Sequence, residues 1–198
     1  MPYIPNNFDF IFAGVYGEST YDVIKEAAIW SEMWLRFQKK CGVEGSVVFD
    51  IDDTVIEIVK KNGKDVEQII LPIVKIYELS KELGFVINFI TARPDTKSNR
   101  ENTEKVLQHF NLGEYEALYM LPSTLVPNLK TVSEFKYSAR LDVHKRHKIL
   151  ANFGDMWSDH VRFPCKYKEF KNRHDSECAI FFIYEYPCIK LPAKVLDA

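Results

Sequence analysis

Three aspartates directly follow an apolar run in the segment FDIDDT, at residues 49–54. Carboxylates this close repel one another, and each loses hydration when the site is even partly enclosed. A divalent cation would turn the repulsion among Asp50, Asp52 and the distant Asp155 into coordination, and Mg²⁺ prefers a few carboxylates with waters and phosphate oxygens. The sequence therefore predicts a Mg²⁺ site that admits a phosphate group.

The same region carries the side chains that phosphoryl transfer needs. Asp50, at the end of a predicted strand, is the natural nucleophile for phosphorus and would form an aspartyl-phosphate. Asp52 lies two residues on, where it reaches the leaving oxygen as general acid and then acts as base for water. Lys136 would supply positive charge to the nucleophile and the phosphoryl oxygens, to which Thr91 offers a hydroxyl donor.

Apolar runs and helical spacings predict strands that alternate with helices. Strands are predicted at 46–51, 85–91, 116–121, 149–155 and 178–184, and helices at 19–40, 71–84, 98–110 and 137–150. Asn62-Gly63 predicts a hairpin between two apolar arms. This order is typical of an α/β fold, a Rossmann-like three-layer sandwich with a mostly parallel central sheet. Ligands bind beyond the carboxyl ends of such strands, where the suspected site residues fall.

Two finer expectations concern the helices. Ser98 and Glu101 have the spacing of a capping box at the start of the third helix. Lys136 is expected just before the fourth helix, in which residues 144–147 predict an exposed charged face.

Composition excludes several other classes of protein. The net charge of −2 arises from interspersed acids and bases, which gives neither a basic footprint for nucleic acid nor a polybasic membrane patch. No apolar run approaches the roughly 20 residues of a spanning helix. The chain, 1–198, is expected to form a single domain, with the segment at about 19–40 packing on its core.

The amino-terminal residues and the cysteines favour a cytoplasmic protein. The start of the chain lacks the pattern of a signal peptide, so residues 8–15 are expected to be a packed segment. The four cysteines show no zinc-binding spacing and are interpreted as reduced thiols. A disulfide between Cys178 and Cys188 stays open.

Four motifs resemble, in order, those of the haloacid dehalogenase (HAD) superfamily: FDIDDT, FITARP, EFKYSAR and NFGDMWSD. The set is similar to subfamily III acid phosphatases of the class B type and to the plant vegetative storage proteins. The resemblance covers most of the chain, and it implies a HAD-like, Mg²⁺-dependent phosphatase. Together the four motifs are specific, whereas any one alone would be weak.

The resemblance also implies roles for the acidic residues. Asp50 matches the nucleophile, and Asp52 matches the acid/base whose backbone carbonyl also reaches the metal. Asp155 matches the metal-ligating carboxylate, and Asp159 an outer acidic residue that orients metal-bound water. Asp53 is interpreted instead as a structural residue of the loop.

For the remaining motifs, the resemblance implies phosphate-binding roles. Thr91 matches the phosphate-binding hydroxyl, and Ala92 and Arg93 complete its loop. Lys136 matches the third-motif lysine, although two other lysines, at 145 and 148, compete for that assignment. For Arg93 and Arg100, the sequence leaves open whether the side chains contact substrate or lie solvated at the surface.

Two departures from the family matter for the substrate. The usual insertion after the first motif is reduced to the Asn62-Gly63 hairpin, which predicts a minimal cap and an open site. The second motif reads TAR rather than TGR, so Ala92 adds a methyl group where the backbone approaches phosphate. Trp157 is interpreted as packing that stiffens the fourth-motif loop, and His160 stays open as a pocket residue.

The predicted function is hydrolysis of small phosphorylated metabolites or nucleotides, with no clear nucleic-acid or membrane partner and with a homo-oligomer left open. The alternatives are a storage or binding protein that kept the fold without turnover, and a nucleic-acid end phosphatase. Dehalogenase or phosphomutase activity would also use an aspartate nucleophile, but an acid/base at Asp52 favours phosphate transfer.

Overall fold

The computed structural model describes residues 12–14, 20–162, 178–183 and 186–193. Its nine strands are β1 (Phe12–Gly14), β2 (Ser46–Phe49), β3 (Ile56–Lys61), β4 (Lys64–Ile69), β5 (Val86–Asp95), β6 (Ala117–Pro122), β7 (Ile149–Gly154), β8 (Cys178–Ile183) and β9 (Tyr186–Lys190). Its helices are α1 (Thr20–Lys40), α2 (Leu71–Glu82), α3 (Lys97–His109) and α4 (Leu129–Arg146), with a 3₁₀ turn, η1, at Trp157–Asp159.

A seven-stranded sheet of order β1-β8-β9-β7-β2-β5-β6 forms the middle layer. The strands β9, β7, β2, β5 and β6 pair in parallel, whereas β8 runs antiparallel to its neighbours. α1, α2 and α3 contribute to the apolar cluster on one face, and α4 and η1 to the cluster on the other. The predicted α/β sandwich with a mostly parallel central sheet is therefore confirmed.

The central strands are buried on both faces, which explains their unbroken apolar sequence. In β2, Val47 and Phe49 face the cluster that includes α1 and α2, whereas Val48 faces the cluster of α4. The rings of Phe49 and Phe153, on neighbouring strands, stack with centroids 4.9 Å apart. This packing fixes the strands whose ends carry the acidic residues.

α1 follows the predicted helix closely and lies against the first face of the sheet. Its buried side includes Ile24, Ala27 and Leu35. The indole nitrogen of Trp34 donates to the carbonyl of Leu150 in β7 at 2.8 Å, which ties the helix to the sheet.

The hairpin β3–β4 stands apart from the large sheet and matches its sequence signal. Lys61 pairs with Lys64 across the turn, and Asn62 and Gly63 both have positive φ, at 52° and 73°. Positive φ at both central residues is typical of the type I′ turn that Asn-Gly favours.

Two local predictions were wrong. α3 is capped by Thr96, whose hydroxyl accepts from the amide of Asn99 at 3.2 Å, and not by Ser98, which lies inside the helix. α4 begins at Leu129, so Lys136 lies within the helix rather than before it. The predicted start at residue 137 missed the cap at Asn128, whose side chain accepts from Thr131.

Some sequence predictions lie outside the described residues, among them those for Cys165, His174 and most of residues 8–15. Of the described cysteines, Cys178 and Cys188 are buried free thiols, and Cys41 is exposed. Within the described ranges, no helix has both the length and the apolar character that crossing a bilayer requires.

Candidate active site

The strand register brings the first and fourth motifs together. Phe49 of β2 pairs with Phe153 of β7, and both strands end within a residue of that pair. The amide of Asp50 donates to the carbonyl of Phe153 at 2.9 Å. Asp50 and Asp155 therefore leave adjacent parallel strands at one edge of the sheet, the edge at which such folds bind ligands.

A break in the β5–β6 pairing positions the second motif. The register shifts between Thr91 and Pro94, so Ala92 and Arg93 lie in an irregularity that bends the strand. The amide of Arg93 donates to the hydroxyl of Thr91 at 3.1 Å. These residues lie within β5, which pairs with β2 on the side opposite β7.

Lys136 reaches the site from the buried face of α4. Its ammonium nitrogen lies 2.9 Å from Asp50 Oδ1 and 2.5 Å from Asp159 Oδ1. Lys145 and Lys148, the competing lysines, are exposed. The third-motif lysine is thus the one that the structure places beside the predicted nucleophile.

Three buried carboxylates converge at this point. Asp50, Asp155 and Asp159 each present an oxygen, and these oxygens all lie within 4.8 Å of one another. An all-carboxylate donor set is what hard divalent cations bind, so the residues fit a Mg²⁺-like ion. The side chain of Asp52 is not part of this group.

Burial and the charge of Lys136 shift the pKa values of the three carboxylates in opposite directions. Burial raises the pKa of Asp50 to about 7, against the lowering effect of Lys136. Burial and the charges of Asp159 and Asp50 raise the pKa of Asp155 to about 9. For Asp159, burial is outweighed by Lys136, and its pKa is lowered. The carboxylates differ because Lys136 lies closest to Asp159.

Asp52 occupies a different setting at the rim. Its carboxylate accepts from Arg93 at 3.0 Å (Nε to Oδ2) and 2.6 Å (Nη2 to Oδ1). The other guanidinium nitrogen of Arg93 donates to the hydroxyl of Thr103 in α3 at 3.3 Å. Thr91 Oγ1 lies 3.5 Å from Asp52 Oδ2. Arg93 thereby links the predicted acid/base to the scaffold.

Asp53 and its neighbours form the tight turn between the site and the hairpin. Asp53 has a φ of 52°, and its amide donates to the carbonyl of Ile56 at 2.7 Å. The amides of Val55 and Ile56 both donate to Ile51, each at 3.0 Å. Aspartate tolerates this left-handed conformation, which agrees with the structural role expected for Asp53.

Arg140 and Asn152, which lie in the third and fourth motifs but received no role from the sequence, hold the fourth-motif loop. Arg140 and Asn152 both donate to the carbonyl of Asp159, Asn152 at 3.0 Å. The amide of Met156 donates to Asp159 Oδ2 at 2.9 Å. Gly154 is required because a Cβ there would come within 2.4 Å of Asp159. The spacing of four between Lys136 and Arg140 on one helix was the signal for Arg140.

His160 and Trp157 support the same loop from within. His160 is buried, with Nε2 3.2 Å from the carbonyl of Gly154 and Nδ1 2.9 Å from Asn152 Nδ2. Burial lowers the pKa of His160 to about 3, so the ring is neutral near pH 7. Trp157 is buried against Phe181, with ring centroids 5.6 Å apart, as expected for a packing residue.

The arrangement provides a carboxylate beside a fixed ammonium group, two further buried carboxylates, and an exposed carboxylate with a hydroxyl and a guanidinium group close by. Such a set can attack an electrophile, hold a divalent cation and exchange a proton with solvent. A transferred phosphoryl group needs these capacities together.

A family model matches residues 59–174, which is more than half of the chain. The model is described as HAD superfamily, subfamily IIIB (Acid phosphatase). The matched region includes Lys136, Asp155 and Asp159, and it begins after Asp50 and Asp52. No curated protein matches this chain in sequence.

Two solved structures share the fold. One, titled "Structure of Pnkp1/Rnl/Hen1 complex", aligns with a TM-score of 0.52 and 16% identity over 75% of this chain and 46% of that chain, so the present chain spans about half its length. The class C acid phosphatase from Bacillus anthracis aligns with a TM-score of 0.54 and 16% identity, over 75% of this chain and 67% of that chain.

Proposed function

Because this chain belongs to subfamily IIIB of the HAD superfamily, the acid phosphatases, we propose that it hydrolyses small phosphomonoesters through an aspartyl-phosphate on Asp50. The family match confirms the resemblance to the subfamily III acid phosphatases, and its range includes the second, third and fourth motifs. Mg²⁺ dependence, the covalent intermediate and the substrate class are the finer parts of the proposal.

One observation carries it: the convergence of Asp50, Asp155, Asp159 and Lys136. These residues come from two strand ends, a 3₁₀ turn and a helix, yet Lys136 Nζ lies 2.9 Å from Asp50 and the carboxylate oxygens lie within 4.8 Å of one another. An uncompensated group of three buried carboxylates is costly. Its presence at the carboxyl edge of the sheet favours a site built for a cation and an anionic substrate.

Asp50 is the proposed nucleophile. One of its oxygens forms a bond to phosphorus while the bond from phosphorus to the leaving oxygen breaks, so the phosphoryl group passes to the carboxylate. Lys136 keeps Asp50 oriented and places its charge where negative charge develops. Mg²⁺, held by Asp50, Asp155 and Asp159 with the backbone carbonyl of Asp52, would neutralise the phosphoryl oxygens.

Asp52 is the proposed acid and base. Its proton goes to the leaving oxygen in the first half-reaction, and in the second it accepts a proton from the water that hydrolyses the aspartyl-phosphate. Its exposed position suits this exchange, since the leaving group departs into solvent there. Thr91 would donate its hydroxyl to a phosphoryl oxygen, and the loop of Ala92 and Arg93 would border the phosphate.

Small substrates are favoured by the surroundings of the site. The hairpin β3–β4, which follows the first motif, is the minimal cap, and the chain carries a net charge of −2. An extended nucleic acid would call for a basic groove, which that charge does not favour. Phosphorylated metabolites or nucleotides are therefore the proposed substrates.

The test is a panel of phosphomonoesters assayed with Mg²⁺, with chelator, and with the variant Asp50→Asn. Turnover should require the metal and should fall by at least about 10³-fold in Asp50→Asn. Asp53→Asn, the same change three residues away in a turn that asparagine tolerates, is the matched control and should retain activity.

Two results would contradict the proposal. Phosphate release that persists in chelator and in Asp50→Asn would exclude the mechanism. Wild type that is as inactive as the variant on every substrate would favour the storage or binding protein instead. Trapping with ³²P-labelled substrate adds a direct readout, because an acid-stable, hydroxylamine-sensitive label is expected on wild type and not on Asp50→Asn.

A further inference from the structure

An exposed apolar ridge runs along α1, on the side that does not face the core. It consists of Ile29, Met33 and Phe37, whose exposed fractions are 52%, 60% and 38%. Their spacing of four residues aligns them on one face of the helix. Large apolar side chains grouped on an outer face mark an interaction surface more often than single exposed ones do.

The ends of this α1 ridge carry opposite charges. Glu26 precedes Ile29 by three residues, and Lys40 follows Phe37 by three; both are exposed. The pattern from Glu26 to Lys40 therefore reads acidic, apolar, apolar, apolar, basic and is symmetric in spacing about Met33. When two such helices pack antiparallel, the acidic end of each lies against the basic end of the other.

We propose that the α1 ridge is the contact surface between two copies of this chain, packed antiparallel about a two-fold axis at Met33. Met33 then meets Met33 of the second copy, and Ile29 meets Phe37. Glu26 and Lys40 form an ion pair with their counterparts at both ends of the contact. Such an isologous contact needs a self-complementary surface, and this ridge has one.

Charge complementarity favours a second copy over other occupants. A membrane surface would favour basic residues along the whole ridge, but Glu26 lies at one end and Glu32 at its flank, where Glu32 pairs with Arg36 at 2.8 Å. Antiparallel helices commonly pack with apolar seams bordered by ion pairs of this kind.

The geometry also limits the strength of the contact. α1 has 21 residues, and a single pair of helices of that length buries an area at the low end of specific interfaces. A weak dimer is therefore expected, with dissociation in the micromolar range. α1 packs on β7, β8 and α2, and none of the residues assigned to the site lies on its outer face.

The first test is the oligomeric state, measured by sedimentation equilibrium over a concentration series. Wild type should change from monomer to dimer, and Met33→Glu should raise the dissociation constant by at least about tenfold. Leu141→Glu is the matched control, because Leu141 is an exposed apolar residue on α4 with a 42% exposed fraction. It should leave the dimer unchanged.

A charge exchange tests the antiparallel arrangement. Lys40→Glu alone and Glu26→Lys alone should each weaken the dimer, because each creates two like-charged contacts. The double variant should restore the wild-type dissociation constant to within about threefold. A membrane, a peptide or a parallel helix pair would not produce this recovery.

Three outcomes would overturn the inference: a wild-type chain that stays monomeric to concentrations on the order of hundreds of micromolar, a dimer that Met33→Glu leaves intact, and charge variants whose losses simply add. Circular dichroism shows whether each variant is folded. The phosphatase assay is a separate measurement, since loss of the dimer should leave turnover per chain unchanged and a failed assay would not affect the dimer.

Discussion

The site contains two ion pairs, one buried in the interior and one partly exposed at the rim. In the interior pair, the side chains of Lys136 and Asp50 are 4% and 8% exposed. In the rim pair, the side chains of Arg93 and Asp52 are 20% and 52% exposed. The contact distances are similar, at 2.9 Å and 2.6 Å, so the pairs differ chiefly in the solvent around them.

This difference corresponds to the two roles that the chemistry needs. In the interior, low dielectric makes each charge depend on its partners, and the groups are held in place before substrate arrives. At the rim, water screens the pair, so the contact between Arg93 and Asp52 can open and the carboxylate is accessible to solvent. The proposed nucleophile, Asp50, lies in the first setting, and the proposed acid/base, Asp52, lies in the second.

Removal of Lys136 should give the largest effect. Lys136→Met leaves Asp50 and Asp159 buried without their cation, and breaking such a pair costs roughly 3–5 kcal/mol. Urea denaturation in chelator should show that loss, and phosphatase activity should become undetectable. Lys145→Met, at an exposed lysine of the same helix, should change the free energy of unfolding by less than about 0.5 kcal/mol.

A smaller effect is expected at Gly154, where the interior loop is tightest. A Cβ there would lie 2.4 Å from Asp159, so Gly154→Ala should displace that residue, lower the free energy of unfolding by about 1–3 kcal/mol and reduce turnover sharply. Gly63→Ala, at the hairpin turn with open space around it, should cost about 1 kcal/mol from its positive φ and leave turnover intact. Equal loss of activity in both variants would contradict this account.

The interior carboxylates also predict a pH dependence in the presence of chelator. Asp50 and Asp155 ionise in the unfolded chain near 3.8, but their folded pKa values are about 7 and about 9. A raised carboxyl pKa contributes stability below pH 3.8 that is lost as pH rises through the folded value. The free energy of unfolding should therefore fall between about pH 4 and 9.

Thermal denaturation across that range checks this prediction. Asp155→Asn should flatten the decline, particularly between pH 7 and 9. Added Mg²⁺ should oppose the decline in wild type, because the cation binds the ionised carboxylates. A stability curve that is the same in wild type and Asp155→Asn would show that Asp155 is ionised without the metal.

The rim pair should give the smallest change in stability. Arg93→Ala should alter the free energy of unfolding by no more than about 1 kcal/mol, since water screens this pair at the half-exposed carboxylate of Asp52. Turnover should nevertheless fall by roughly 10- to 100-fold, because Asp52 loses its orienting contacts. Arg100→Ala, which removes a comparable exposed pair with Asp95, is the control and should leave turnover unchanged.

The site residues at the ends of apolar strands could be predicted from the sequence. Asp50 and Asp155 were found from sequence because each directly follows an apolar strand. Thr91 was found because it ends the strand predicted at 85–91, which in the structure continues to Asp95 as β5. Parallel strands put those ends at one edge whatever the details of the loops. Lys136 was predicted to lie just before the fourth helix, because that helix was predicted to begin at residue 137. The helix instead begins after its cap at Asn128, eight residues before Lys136.

The partners of other site residues had no local signal, even where the motif spacing indicated the residue, as it did for Arg140. The donation of Arg140 and Asn152 to one carbonyl depends on how α4 and β7 each pack against η1. The ion pair of Arg93 with Asp52 depends on the register shift in β5. Neither the apolar pattern nor the motif spacing encodes these arrangements. The apolar side of α1 was predicted, but the exposure of its ridge required the packed structure.

By itself, the sequence determined the strand–helix order, the acidic strand ends and the hairpin, because apolar periodicity and turn chemistry act over a few residues. Only the tertiary structure decided which carboxylates are buried with Lys136 and which one remains in solvent with Arg93. Burial depends on the register of neighbouring strands and on the helix that covers them. Burial in turn sets the strength of the electrostatic interactions between the charged groups of the site.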